Sequence, residues 1–167
     1  MTNTFDIARQ HHQPLKKWVV AAIIIGITLG IGIIASLLGG RMREGYIEPA
    51  FFPPAWVFPV VWTINYIAIG LATFFVFNND QDRARRRNDM IIFGVHLFFN
   101  MLWPLFFFRL DLVLFAIAWL VLNVISAGIV TCRYYTANLG AGIIFTAYMA
   151  WLLYALYLNI GIGILNF

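Results

Sequence analysis

Five stretches of membrane-spanning length carry no Asp, Glu, Lys or Arg, and they constrain the fold more than any other feature of this chain. A helix of about 20 residues crosses the roughly 30 Å hydrocarbon layer of a bilayer. The stretches are 18–38, 54–77, 90–108, 112–132 and 143–165. We therefore predict an all-α membrane protein: a five-transmembrane-helix bundle forming one domain over 18–167, preceded by a polar N-terminal tail at 1–17 and containing a long loop at 39–53.

Composition and charge support a membrane protein and argue against nucleic-acid binding. Hydrophobic residues make up 62% of the 167 residues, and charged residues make up 11%. A water-soluble chain of this length could not bury so much apolar surface in its core. The net charge of +4 comes from basic residues beside the spans rather than from a folded basic face. Eight Lys and Arg residues fall on the N-terminal side and three on the other, which predicts an N-terminus inside and a C-terminus outside. No metal site is expected, and the single Cys132 excludes an internal disulfide.

The most distinctive segment of the sequence is Pro49 to Tyr66, PAFFPPAWVFPVVWTINY. Its prolines fix the backbone, with Pro53 and Pro54 placed where the second helix would begin. The loop before that helix is long for a helical hairpin and rich in aromatic residues. It is either a lid over a binding site or a segment whose rings lie at headgroup level, and the sequence alone leaves both open.

Polar side chains within the third span are informative because a polar group in lipid is costly unless it faces protein or water. His96, Asn100 and Trp103 lie at i, i+4 and i+7 and share one helix face, which Phe107 continues. Asn100 is suited to bind a ligand carbonyl or carboxylate, with His96 assisting. The alternative is that these groups bond neighbouring helices to each other.

The second and fifth spans carry further polar and aromatic side chains well inside the membrane: Trp62, Tyr66, Tyr148, Trp151 and Asn159. Three deep tryptophans, one each in the second, third and fifth spans, indicate a ring-rich cavity for a large flat ligand. The spans have no carboxylates for a proton relay, no broken-helix repeat and no Ser/His/Asp set, so ion-coupled transport and hydrolysis are disfavoured.

Three spaced motifs on three helices carry a family resemblance. They are Pro49-x-x-x-Pro53-Pro54-x-Trp56-x-x-x-x-x-Trp62-x-x-x-Tyr66, then Asn100-x-x-Trp103-Pro104-x-x-Phe107-Phe108, and finally Trp151 followed by Leu158-Asn159. From Pro49 onward the chain resembles the tryptophan-rich sensory protein or translocator protein family (TspO/MBR, the peripheral benzodiazepine receptor).

The resemblance implies a five-helix bundle, commonly a homodimer, with a pocket covered by the loop between helices 1 and 2. Family ligands are porphyrins such as protoporphyrin IX and haem, sterols in animal members, and synthetic isoquinoline carboxamides and benzodiazepines. The matching motifs imply that Trp62, Asn100, Trp103 and Trp151 line the pocket, with Pro54 at its mouth.

The loop departs from the family pattern. Met42 and Arg43 stand where an aromatic pair is usual, and Glu48 replaces the usual lysine before the first proline. No Lys or Arg follows Asn159, so the basic residue of the animal sterol-recognition stretch is missing and cholesterol is not the expected ligand.

We therefore expect a receptor or sensor that binds a tetrapyrrole as its ligand and requires no cofactor. The expected ligand-binding residues are Pro54, Trp62, Tyr66, His96, Asn100, Trp103, Phe107, Tyr148, Trp151 and Asn159. The alternatives are a light- and oxygen-dependent porphyrin-degrading enzyme, in which Trp62 and Trp151 would be redox-active, and a transporter or lipid-binding scaffold.

Overall fold

The computed structural model describes residues 13–41, 43–79 and 81–167, so residues 1–12 of the predicted tail lie outside the described residues. The helices are α1 (Gln13–Gly39), α2 (Val57–Phe77), α3 (Arg83–Pro104), α4 (Val113–Ala137) and α5 (Leu139–Asn166). A π-helical turn, Leu105–Arg109, continues α3. All five helices are long and apolar enough to cross a membrane. The predicted all-α membrane fold, a five-helix bundle, is confirmed.

Helices α3 and α5 begin before their apolar spans because a capping side chain starts each of them. Helix α3 begins at Arg83, seven residues before the apolar run, and the Asp82 carboxylate accepts hydrogen bonds from the free backbone N–H groups of its first turn at 2.9 and 3.3 Å. Helix α5 begins at Leu139, where the Asn138 side chain accepts from the Ala141 N–H at 3.0 Å. Hydropathy locates the lipid-crossing part of a helix and not its ends.

Helix α2 begins at Val57, three residues after Pro54. The two prolines lie before the helix, and the Val57 N–H donates to the Pro54 carbonyl at 2.9 Å to form a turn. The ring of each proline fixes its own φ, which makes the turn stiff. The turn therefore sets the direction in which α2 enters the bundle.

Close packing of α1 against α2 and α3 depends on small residues. A Cβ at Gly32 would collide with the Tyr66 ring, and one at Gly39 would lie 2.7 Å from Pro104 Cβ. The Thr28 hydroxyl donates to the Tyr66 carbonyl at 2.8 Å, which ties the middle of α1 to α2. The remaining contacts run mainly between α4 and α5, between α3 and α4, and between α2 and α5. Together they leave a space at the loop end of α2, α3 and α5.

Candidate ligand-binding site

A cavity of about 630 Å³ lies beneath the α1–α2 loop, between the adjacent ends of α2, α3 and α5. Small-molecule sites in proteins typically enclose roughly 300–1,000 Å³ and are mostly apolar. Six aromatic rings line this cavity: Phe52, Phe58, Trp62, Trp103, Phe107 and Phe108. We call it the loop cavity.

Three of these rings, Trp62, Trp103 and Phe107, form an array that crosses from α2 to α3. The Trp62 and Trp103 ring centroids are 6.2 Å apart, and Trp103 stacks on Phe107 at 5.6 Å with 22° between the ring planes. Trp103 and Phe107 lie four residues apart on one helical face, where side chains are neighbours. The array therefore presents extended ring surface to anything held in the cavity.

Polar groups in the loop cavity are few and occur at its two ends. Arg41 and Glu48, both exposed, contribute from the loop. At the inner end the Trp103 indole N–H donates to Asn159 Oδ1 at 3.1 Å, and Asn159 Nδ2 donates to the Ala155 carbonyl at 2.8 Å. These bonds satisfy the indole donor and fix the orientation of the Trp103 ring.

A second cavity of about 470 Å³ lies between α1, α2 and α3. We call it the α1 groove. It shares Phe58, Trp62, Trp103 and Phe108 with the loop cavity, so these four rings separate the two spaces. Tyr66 lines the α1 groove and does not line the loop cavity.

A chain of buried hydrogen bonds begins at Tyr66 and crosses four helices. The Tyr66 hydroxyl donates to Asn100 Oδ1 at 2.5 Å, and Asn100 Nδ2 donates to the Tyr148 hydroxyl oxygen at 2.8 Å. His96 continues the chain through both of its ring nitrogens. The Tyr148 hydroxyl oxygen lies 2.9 Å from His96 Nε2, and the Ser126 hydroxyl oxygen lies 3.0 Å from His96 Nδ1.

The direction of donation along this chain follows from its last bond. The Ser126 hydroxyl donates to the Asn123 carbonyl at 2.7 Å, so its oxygen accepts from His96 Nδ1–H. The neutral imidazole then has a bare Nε2, which accepts the Tyr148 proton. Every donor from Tyr66 to Ser126 has one acceptor, so the chain is a single ordered network that joins α2, α3, α5 and α4.

The loop over the cavity is held to the α3–α4 turn by a charged latch. The Arg43 guanidinium donates to Asp111 Oδ2 at 2.6 Å, and the Tyr46 hydroxyl donates to Asp111 Oδ1. Hydrogen bonds from Tyr46 and Arg43 hold the pKa of Asp111 below its usual range. Burial, followed by the bond to Asp111, raises the pKa of Tyr46 to about 12. Arg109, which the sequence places next to this turn, is not the partner of Asp111.

Further contacts tie the same loop to α5. Asn166 accepts from the Ile47 N–H at 2.7 Å and donates to its carbonyl at 3.0 Å. The Tyr154 hydroxyl donates to the Phe51 carbonyl at 2.6 Å. Phe51 itself has a φ of 61°, a left-handed conformation that is unfavourable for a bulky residue, and its ring is 85% exposed. Of the two interpretations of the loop, the lid fits these contacts.

Comparison with known proteins identifies the fold family. The profile of the TspO/MBR family matches residues 18–165, nearly the whole described chain. The chain belongs to the TspO/MBR family. It is thus an integral, multi-pass membrane protein in contact with the lipid bilayer.

Three relatives illustrate the range of this family. The chain is 27% identical to the tryptophan-rich protein TspO of Chlorobaculum tepidum over 90% of this chain and 98% of that protein. It is 29% identical to the translocator protein homolog of Schizosaccharomyces pombe over 90% and 93%. It is 27% identical to the tryptophan-rich sensory protein of Cereibacter sphaeroides over 67% and 68%.

In this TspO/MBR protein the residues predicted to bind ligand fall into separate groups. Those that line the loop cavity are Pro54, Trp62, Trp103, Phe107 and Asn159. Tyr66 faces the α1 groove, and Trp62 and Trp103 face both spaces. Ligand contact by each of these residues stays a prediction.

Four predicted residues line neither cavity. His96, Asn100 and Tyr148 belong to the buried chain, where they bond helices to one another, as the alternative interpretation of His96 and Asn100 expected. Trp151 lies behind Phe58, whose ring meets it edge-on at 6.4 Å, and its buried N–H has no hydrogen-bond partner among the described residues. A direct role for these four side chains in binding also stays a prediction.

Sequence reasoning missed several residues of the TspO/MBR site. Arg41, Glu48 and Phe52 reach the loop cavity from the loop, and no helical periodicity marks them. Phe58 could have been predicted from the sequence, because it lies one helical turn before Trp62 and therefore on the same helix face. Among the described residues, no group of three or more His, Cys, Asp or Glu side chains is placed to hold a metal ion.

Proposed function

We propose that this protein is a membrane receptor or sensor that binds a tetrapyrrole of the protoporphyrin IX or haem type in the loop cavity. The observation that carries the proposal is that six aromatic rings line a space of about 630 Å³. A porphyrin is a large flat macrocycle with few polar groups, and its affinity for such a site comes from burial and stacking against rings.

The charges at the cavity mouth favour a ligand whose polar groups lie at one edge. Protoporphyrin IX carries its carboxylates on one side of the ring, and the Arg41 guanidinium on the loop side is suited to pair with a carboxylate. Glu48 on the same side repels a second carboxylate, so we expect the porphyrin to place one propionate near Arg41 and the other towards water. The latched loop then excludes water from the macrocycle.

Replacement of one wall residue tests the receptor proposal. Trp62→Phe keeps an aromatic ring but removes part of the stacking surface, so we expect the Kd for protoporphyrin IX to rise about 5- to 20-fold, equivalent to roughly 1–2 kcal/mol. The measurement is an absorbance titration of the purified protein in nanodiscs. Trp18→Phe is the matched control, because Trp18 is 69% exposed at the far end of α1 and lines neither cavity. Equal affinities for the two variants would exclude the loop cavity.

A second candidate is light-dependent oxidation of the bound porphyrin, favoured by the contact of Trp62 with both Trp103 and Tyr66. In this case the photo-excited porphyrin and oxygen supply the chemistry, and Trp62 is an electron donor in van der Waals contact with it. Illumination of the complex, with porphyrin absorbance followed over time, separates the two functions. A receptor leaves the porphyrin unchanged beyond its bleaching in buffer, whereas an enzyme degrades it at a rate that Trp62→Phe lowers more than it lowers affinity.

We also propose that the protein forms a homodimer through α1. Outside the neighbouring backbone of α1 itself, no atom of the described chain lies within 4 Å of a Cβ built at Gly26 or Gly30, so this small-residue face is free to meet a second copy closely. Gly30→Leu is expected to lower the dimer fraction measured by native mass spectrometry. Gly94→Leu, at an equally open position on α3, is the control, and a dimer fraction lowered equally by both substitutions would rule out the α1 face.

A further inference from the structure

Two arginines lie side by side where α3 packs against α4, at the end of the bundle opposite the lid. Arg85 and Asp89 are one helical turn apart on α3, and Arg133 and Thr136 are one turn apart on α4. The Arg85 guanidinium donates to the Thr136 hydroxyl oxygen at 2.7 Å, and the Arg133 Nε–H donates to Asp89 Oδ1. These two pairs are successive contacts between the same two helices, so the guanidinium groups are neighbours. We call these four residues the arginine seam.

Both guanidinium groups of the seam keep donors for a further partner. The Asp89 side chain is fully buried, whereas the Arg133 side chain is 35% exposed. Only the Nε–H of Arg133 bonds to Asp89, and its two terminal nitrogens donate to no described residue. Arg85 likewise uses one terminal nitrogen, in its bond to Thr136. An arginine has five N–H donors, so each of the two offers several to an acceptor from outside the bundle.

The charges of the seam match those of one phosphodiester. Two guanidinium charges less the Asp89 carboxylate leave one positive charge at the surface. Asp82, three residues before Arg85, has its carboxylate engaged by the backbone N–H groups that begin α3. Arginine binds phosphate oxygens through paired N–H groups, and basic pockets between transmembrane helices bind acidic lipid head groups. A phosphate with a single negative charge would neutralise the seam.

The seam lies where α3 and α4 leave the membrane. The charge-free run of α3 begins at residue 90, and that of α4 ends at 132, directly before Arg133. Towards the membrane the same helix faces become apolar. Ile92, seven residues after Arg85, is half-buried, and Ile129, four residues before Arg133, is 50% exposed. A lipid whose phosphate meets the two arginines therefore lies with its acyl chains against these side chains.

We propose that the arginine seam binds one anionic phospholipid of the bilayer, with the phosphate held by Arg85 and Arg133 and the acyl chains lying along α3 and α4. Phosphatidylcholine has the same phosphate but carries a quaternary ammonium beside it, so a lipid without that positive charge, such as phosphatidylglycerol, is bound in preference. The seam shares no residue with either cavity or with the α1 face proposed for a second copy, and the site does not depend on tetrapyrrole binding.

Lipid retention in native mass spectrometry tests this preference. The full chain is purified in detergent, supplied with equal amounts of phosphatidylglycerol and phosphatidylcholine, and the lipids that remain on each chain are counted. We expect one phosphatidylglycerol per chain, retained about 5-fold better than phosphatidylcholine, since one surface arginine contributes roughly 1 kcal/mol. Excess inorganic phosphate is not expected to displace it, because the acyl chains add to binding. Equal retention of the two lipids would overturn the proposal, as would displacement by inorganic phosphate.

Matched arginine substitutions locate the site. Arg85→Gln is expected to lower phosphatidylglycerol retention about 5-fold. Arg83→Gln and Arg87→Gln are the controls, because each removes the same charge from an exposed position two residues away, on the opposite side of α3. Both are expected to retain the lipid as the wild-type protein does. Equal losses in all three variants would show general attraction to a basic surface and would overturn the site.

A paired substitution tests the second arginine without leaving a buried charge. Arg133→Gln alone would leave the buried Asp89 without its partner, so it is combined with Asp89→Asn, which keeps the net charge of the chain unchanged. We expect this double variant to lose phosphatidylglycerol to about the same extent as Arg85→Gln. Retention at the wild-type level would exclude Arg133 from the site and overturn the proposal.

Discussion

Tyr66 joins two parts of the molecule, because its ring walls the α1 groove while its hydroxyl begins the buried hydrogen-bond chain. The sequence placed Tyr66, Asn100 and Tyr148 inside membrane spans and indicated that each needs a partner. It did not indicate which partner, because the three side chains come from different helices whose relative rotation depends on packing. The choice between ligand contact and interhelical bonding at Asn100 therefore required the structure.

Loss of the Tyr66 hydroxyl tests the buried chain. In Tyr66→Phe the Asn100 Oδ1 atom, 2.5 Å from that hydroxyl, is left buried without a donor, which costs roughly 1–3 kcal/mol. We expect a lower midpoint of thermal unfolding in detergent. Tyr135→Phe is the control, since the Tyr135 hydroxyl bonds Thr146 at an exposed position. A Tyr66→Phe midpoint equal to that of the control would contradict the chain as a stabilising network.

At the scale of elements, hydropathy predicted all five helices because the lipid-crossing runs are long and free of charge. The lid was harder. Arg43 and Asp111 are 68 residues apart in sequence, whereas Arg109, which does not pair with Asp111, is only two residues away from it. Long-range pairing of exposed charges leaves no pattern in the sequence, whereas a membrane span is a long run without charged residues.

Packing of α1 on α2 gives a paired glycine prediction. Gly32→Ala places a Cβ against the Tyr66 ring, which is fixed in the buried chain, so α1 must shift and the protein is destabilised. Gly94→Ala, at an open position on α3, meets no atom within 4 Å outside its own helix and gains helix propensity worth up to about 1 kcal/mol. We expect the unfolding midpoint to fall for the first variant and to stay equal or rise for the second. The reverse order would contradict the packing of α1 against Tyr66.

The latch predicts a pH dependence of the lid. The folded-state pKa of Asp111 is lowered, so its contribution is complete above the unfolded value of about 3.9 and is lost as the pH falls through the folded value. The pKa of Tyr46 is raised to about 12, so its contribution is complete below about 10 and is lost as the pH rises through about 12. The lid is therefore held most firmly between these two limits.

A spin label on the loop measures this dependence. With Glu44→Cys labelled in a Cys132→Ser background, we expect a larger mobile fraction below about pH 4 than at neutral pH. In Asp111→Asn the label is expected to be mobile already at neutral pH, with no further increase in the mobile fraction on acidification. Asp82→Asn, at the start of α3, is the control and is expected to keep that increase. If the mobile fraction of Asp111→Asn rose on acidification as much as that of the unsubstituted protein, protonation of Asp111 would not be the cause of the loosening.

For the whole molecule, the distribution of basic residues predicts that the lid lies outside and the α2–α3 connection inside. In a Cys132→Ser background, a membrane-impermeant maleimide added to intact cells is expected to label Glu44→Cys, and to label Arg87→Cys only after permeabilisation. The opposite pattern would reverse the assigned orientation.

The cavity as a whole emerges only when three helices and a loop meet. The motifs include Trp62 and Trp103, both of which line the cavity, but Arg41 and Phe52 reach it through the path of the loop alone. Tetrapyrrole binding is tested by titration of the purified protein with protoporphyrin IX, followed by tryptophan fluorescence. We predict saturable quenching with one porphyrin per chain, with a midpoint about 5- to 20-fold higher in Trp62→Phe and unchanged in Trp18→Phe. Absence of saturable quenching in the wild-type protein would contradict tetrapyrrole binding.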